Sequence, residues 1–132
     1  MKERIKLFAP KITKRKRLER EAILISINED IYVKEWMDGL LDGKNETYDT
    51  KRIKDAYKGM PVFFHYYGEG IRWRGKIIDP NDGFPVIGNV DETERIITIE
   101  EMRTIGIIKR NPPQKTQYLN TRRLQILNKL TK

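Results

Sequence analysis

The stretch Ile71-Arg72-Trp73-Arg74-Gly75-Lys76-Ile77 alternates apolar and basic residues with a period of two. On an extended strand that period sends Ile71, Trp73 and Ile77 to one face and Arg72, Arg74 and Lys76 to the other. Such a row of cations can track phosphates. The neighbouring aromatics offer planes on which bases stack or a partner rests: Phe63, His65 and Tyr67 on one face, Phe64 and Tyr66 on the other, with Trp73 on the ladder strand itself. The plainer alternative is an amphipathic strand whose charges pair across the sheet with Glu94 or Glu101. Two further basic clusters belong to the same chemistry: Lys14, Arg15, Lys16 and Arg17 near the start, and Arg122 and Arg123 near the end. The candidate nucleic-acid contacts are therefore these six residues with Arg72, Arg74 and Lys76, and Tyr66, Tyr67 and Trp73 are the candidate stacking or partner contacts.

Catalytic and metal chemistry find little to work with. His65 is the only histidine and there is no cysteine, so a two-histidine zinc site, thiol catalysis and disulfide scaffolds are excluded. No nucleophile stands out as a partner for His65. Asp79-Pro80-Asn81-Asp82-Gly83 has the look of a calcium loop but lacks the later oxygen ligands and the closing Glu, and reads as a turn. Gly68-Glu69-Gly70 has neither the GK[ST] ending nor the G-x-G-x-x-G spacing of a phosphate loop. Glu100 and Glu101 diverge on a surface turn, which disfavours an acid/base pair. The expectation is a non-catalytic protein with no metal and no cofactor.

The whole chain sets the frame for these residues. Its 132 residues suffice for one domain with one core. Lys and Arg number 27 against 19 Asp and Glu, a net charge of +8, and the excess is unevenly spread. Residues 1–20 hold nine basic and two acidic groups, and residues 109–132 hold seven basic and none acidic, while the middle is mildly acidic. Clustered charge governs attraction to polyanions, so the basic ends point to DNA or RNA. The longest apolar run, Ala22–Ile27, is far too short to cross a membrane, and no secretory signal is evident. A reducing cytoplasm is the expected compartment.

The elements follow from periodicity and punctuation. Residues 13–27 admit two readings, a helix capped by Thr13 with Leu18, Ala22 and Ile25 on one face, or a strand over the β-branched run Ala22–Ile27. Asp30 can cap a helix in which Val33, Trp36, Met37, Leu40 and Leu41 form a core stripe, ended by Gly43. A short helix capped by Asp49 or Thr50 carries Ile53, Ala56 and Tyr57 to a stop at Gly59. Strands are expected at Val62–Tyr67, Ile71–Ile78, Phe84–Ile87, Arg95–Ile99 and Thr104–Ile108, joined as antiparallel neighbours by Gly-, Pro- and Asp-rich turns. Asn111-Pro112-Pro113 reads as a stiff linker, followed by a basic helix from Thr116 to Leu130 whose apolar residues form no clean stripe.

Five short strands with one helical turn before the last describe an SH3-like barrel. The expected fold is α+β and a single folding unit. Residues 1–48 form a basic segment and helices packing on the barrel, 49–109 the five-stranded SH3-like barrel with its lead-in helix, and 110–132 the Pro-Pro linker and basic C-terminal helix.

Residues 50–108 resemble the YolD-like family of low-GC Gram-positive bacteria and their phages. The resemblance is carried by Asp55-Ala56-Tyr57-Lys58, Tyr66-Tyr67-Gly68-Glu69-Gly70, Gly75-Lys76-Ile77-Ile78-Asp79-Pro80 and Ile99-Glu100-Glu101-Met102-Arg103-Thr104-Ile105. It covers under half the chain, and the family's N-terminal Trp and Pro-Glu-His signature has no counterpart in residues 1–45. It implies a non-catalytic accessory protein linked to DNA repair or mobile elements, and assigns no catalytic residue. The functional expectation is thus an accessory protein that binds nucleic acid through phosphates, with a phage- or mobile-element-encoded adaptor or inhibitor of a host protein as the alternative. Oligomeric state is not encoded in any feature of the sequence.

Overall fold

β-branched side chains settle the ambiguous segment near the start: Ala22–Ile27 is a strand, β1, buried along almost its whole length. A computed structural model describes residues 20–27, 31–66, 69–107 and 116–131, so Lys14 to Arg17, Tyr67, the Asp30 cap and the Pro-Pro linker lie outside the described residues. After β1 come α1 (Ile31–Leu41), β2 (Glu46–Thr47), β3 (Pro61–Tyr66), β4 (Gly70–Asp79), β5 (Val86–Ile97), α2 (Ile99–Thr104), β6 (Gln117–Leu119) and α3 (Thr121–Leu130). The strands form one six-stranded sheet in the order β2-β5-β4-β3-β1-β6. β1 runs parallel to β3, pairing Ile23 with Val62 and Ile25 with Phe64, and every other pairing is antiparallel.

The expected α+β fold, a five-stranded SH3-like barrel with N-terminal helices, does not form. A mixed sheet replaces it, because β1 inserts between β3 and β6 instead of coiling into a helix outside the barrel. The strands expected at Phe84–Ile87 and Arg95–Ile99 are one continuous strand, β5. Asn89 and its acidic neighbours read as a turn, yet Asn89 adopts φ +52° inside β5, where the β4–β5 register shifts between Arg74 and Lys76. It marks a bulge, which bends a strand without ending it. The expected strand Thr104–Ile108 is displaced by α2, whose N-cap Thr98 and N3 residue Glu101 form a reciprocal capping box. Residues 50–57 form turns, since the Ile53 N–H is drawn to the Gly83 carbonyl at 2.7 Å.

Asp79 does bond the backbone ahead of it, accepting from the Asn81 N–H at 2.9 Å, and the Asn81 amide donates to the Phe84 carbonyl at 3.0 Å. Gly43 closes α1 at φ +89°, as its place in the sequence requires.

The sheet buries both faces. On one side Ile23, Ile25, Val62, Phe64, Trp73 and Ile77 pack with Met37 and Leu40 of α1. On the other Leu24, Phe63, Ile71 and Ile97 pack with Met102 of α2 and Leu124 and Leu127 of α3. Gly70 permits this closure: at φ +123° its missing Cβ would lie 2.0 Å from the Ile97 carbonyl oxygen.

Candidate functional site

The basic ladder on β4 is real as sequence but broken as a surface. The β3–β4 and β4–β5 registers both shift between Ile71 and Trp73, so Ile71 joins the α2/α3 core while Trp73 joins the α1 core. Arg72 consequently parts company with Arg74. Its guanidinium lies 5.1 Å from the Trp73 ring centroid and 5.9 Å from that of Tyr66, and it pairs with Glu69 at 3.0 Å rather than with Glu94 or Glu101. Glu101 is taken by Arg95 at 2.8 Å. Trp73 is only 7 % exposed, with Tyr66 edge-on to it, which closes its ring to an incoming base. Tyr66 itself is half-buried.

Arg74 lies on the opposite side, stacked 5.2 Å from the Phe63 centroid. Its partial desolvation lowers its pKa, though a guanidinium stays charged. It reaches the Thr131 hydroxyl, 3.4 Å away, at the C-cap of α3. Lys76 is exposed farther along the strand. Both border a groove of about 210 Å³ that also receives Asp91 and Glu92, so this end of the surface is mixed in charge.

The helix contributes the purer part. The sequence placed its start at Thr116, but residues 117–119 pair with β1, and Asn120 caps α3 by accepting the Arg123 N–H at 2.9 Å. Leu124 and Leu127 face the core, Ile126 and Leu130 are half-buried, and Arg122, Gln125 and Lys129 are exposed. Arg122 and Lys129 are seven residues apart and share one face. Arg123 is half-buried beside them. Arg122 and Arg123 thus stand on the first turn of α3 and Arg74 at its C-cap, with Arg72 apart; Lys129, basic in the expected helix but not among the candidate contacts, shares the exposed face with Arg122.

A second feature lies on the helix whose Trp36 and Met37 the sequence gives as packing rather than as a groove. On the α1 side, a cleft of about 250 Å³ opens between Tyr32, Val33 and Trp36 of α1, the end of β1, and residues 47–50. Trp36, read as core from its helical spacing, packs on that core and also forms a wall of the cleft, its Nε1–H bonded to the Thr47 carbonyl at 2.9 Å. Its ring lies 5.9 Å from that of Tyr48, tilted by 57°. The Tyr48 hydroxyl is hydrogen-bonded to that of Thr116, just ahead of β6. Burial raises the Tyr48 pKa, opposed by the Thr116 hydrogen bond and reinforced by the nearby Asp49 carboxylate. No spacing signal could have found this cleft, because three segments distant in sequence build it.

Two solved structures share this architecture: the ASCH protein from Zymomonas mobilis, at 15% identity, and a Tyr-to-Phe variant of it, at 16%. Each superposes with a TM-score of 0.63 over 86% of this chain, covering 98% and 100% of the neighbour respectively. The fold is ASCH-like. At such identity the likeness speaks for the fold alone. No family model matches the sequence, and no curated protein does. No cluster of three or more metal-ligating side chains occurs among the described residues, and no helix there is long and apolar enough to cross a membrane.

Proposed function

We propose that this ASCH-like protein is a non-catalytic nucleic-acid-binding module whose phosphate contacts are made by the outer face of α3, extended by Arg74 and Lys76 and by the basic terminal segments. The observation that carries the reading is the first turn of α3, which holds Arg122 and Arg123 and no acidic residue. A helix N-terminus is the positive end of its dipole, so cations there cost stability, typically a few tenths to about 1 kcal/mol each. An anion docked at the same place is attracted by the dipole and both guanidinium groups together. The sequence has no acidic residue after Glu101, so nothing on α3 neutralises this face from within. Contacts of this kind read the backbone and carry little sequence preference.

The test is a fluorescence-anisotropy titration of the full chain with single-stranded DNA, duplex DNA and RNA at about 50 and about 200 mM salt. Neutralising ~6 phosphates or more predicts an affinity loss on the order of a thousandfold across that range. Absence of binding to all three at low salt overturns the reading and leaves a protein partner as the next candidate.

A further inference from the structure

We propose that the cleft between α1 and residues 47–50 is a binding site for a small organic cation, with the half-buried Trp36 ring as its aromatic wall, the largely buried Tyr48 ring bordering it and the Asp49 carboxylate as its counter-charge. Among the described residues that line the cleft Asp49 alone is charged, and it has no hydrogen bond or ion pair among the described residues. No Lys or Arg among the described residues lines the cleft, so a phosphate entering it would meet the like charge of Asp49. A cation meets the reverse: the Trp36 face, which attracts positive charge through its quadrupole, and a carboxylate without a partner among the described residues.

The walls are fixed before any ligand arrives. Trp36 is held by its hydrogen bond to the Thr47 carbonyl, and Tyr48 by its bond to Thr116 across 68 residues of sequence. Trp36 also packs against the buried Phe64, with centroids 6.1 Å apart. Side chains already ordered lose little entropy on binding. Tyr32, 78 % exposed on α1, stands at the mouth. The volume, about 250 Å³, suits a group of nucleobase size or smaller, either a methylated ammonium or a ring with a fixed positive charge. The site lies on the α1 side of the sheet, across from the basic face of α3, and its ligand carries the opposite charge, so the two sites stand or fall separately.

Isothermal titration calorimetry of the full chain at pH 7 tests this with three probes: tetramethylammonium, N1-methyladenosine, which is cationic, and adenosine, its neutral counterpart. The expected result is saturable binding of at least one cationic probe about tenfold or more tighter than adenosine. Whichever of the two cations binds tighter identifies the ligand as an alkylammonium or a ring cation. Asp49→Asn, which keeps the shape and removes the charge, weakens that binding about tenfold without moving the urea midpoint. Thr116→Val also weakens it by freeing the Tyr48 ring, and Thr116→Ser restores it. Neither cationic probe binding tighter than adenosine, no binding of either cation, or an Asp49→Asn variant of unchanged affinity overturns the proposal.

Discussion

His65 is fully buried on β3, opposite Ser26 of β1 and Ile71 of β4, and neither ring nitrogen finds a hydrogen-bond partner among the described residues. Burial lowers its pKa from 6.5 to about 4. A base with a depressed folded pKa is neutral in the native state while the unfolded chain takes up a proton, so stability rises with pH between about 4 and 6.5 and is lost as the pH falls through that window. The full loss from this one group is on the order of 3 kcal/mol. Urea unfolding at pH 7 and pH 4.5 should show a drop in the wild-type protein that is clearly smaller in His65→Phe, and an NMR titration placing the His65 pKa near 6.5 would contradict the account. The sequence exposed His65 as the sole histidine and offered it as a plane for base stacking, a role that its complete burial closes. The distances that isolate it from polar partners come only with the β1–β3 pairing, a long-range contact that no local pattern announces.

At the scale of the element, α3 carries a prediction with opposite signs. Arg122→Glu replaces a cation at the positive end of the helix with an anion, so it should stabilise the fold by a few tenths to about 1 kcal/mol while weakening nucleic-acid binding. Urea denaturation and anisotropy on the same sample check both. If the variant loses stability and binding together, Arg122 is a structural residue and the functional reading of this turn is wrong. The elements also show where sequence is a good guide. The Val33, Trp36, Met37, Leu40 stripe specified a helix, and the turn chemistry of Asp79, Asn81 and Gly43 is as read. Misreadings fell where two local signals compete: Asn89 favours a turn but sits in a bulge, and Thr104 to Ile108 is β-branched but follows the strong capping box of Thr98 and Glu101. The ladder on β4 failed for a related reason, since alternation assumes an unbroken strand and one register shift sends Arg72 to the other side.

For the molecule as a whole, the C-terminal segment is part of the fold and no appendage. β6 forms the sheet edge beside β1, and Leu127 is fully buried in the core that includes Phe63, Ile71 and Ile97. Leu127→Ala should therefore cost about 2–5 kcal/mol in urea unfolding, as truncation in a packed core does, whereas a dangling helix would lose almost nothing. Removing residues 110–132 would likewise take away a strand and a core wall, so charge substitution is the sound probe of this surface. The architecture places two unlike faces back to back: a cation-bearing helix on one side of the sheet and an aromatic cleft with a lone carboxylate on the other. Net charge and clustering were legible in the sequence; their separation by the sheet was not, because it depends on which face of each strand the helices cover.

The most direct test of the central claim is the slope of log K against log salt concentration for a single-stranded oligonucleotide, measured for the wild-type chain and for the double variant Arg122→Glu/Lys129→Glu. Each lost phosphate contact lowers the slope by about one, so the account predicts a reduction of about two together with weaker binding. A double variant that binds with the wild-type affinity and slope would show that α3 does not touch the nucleic acid.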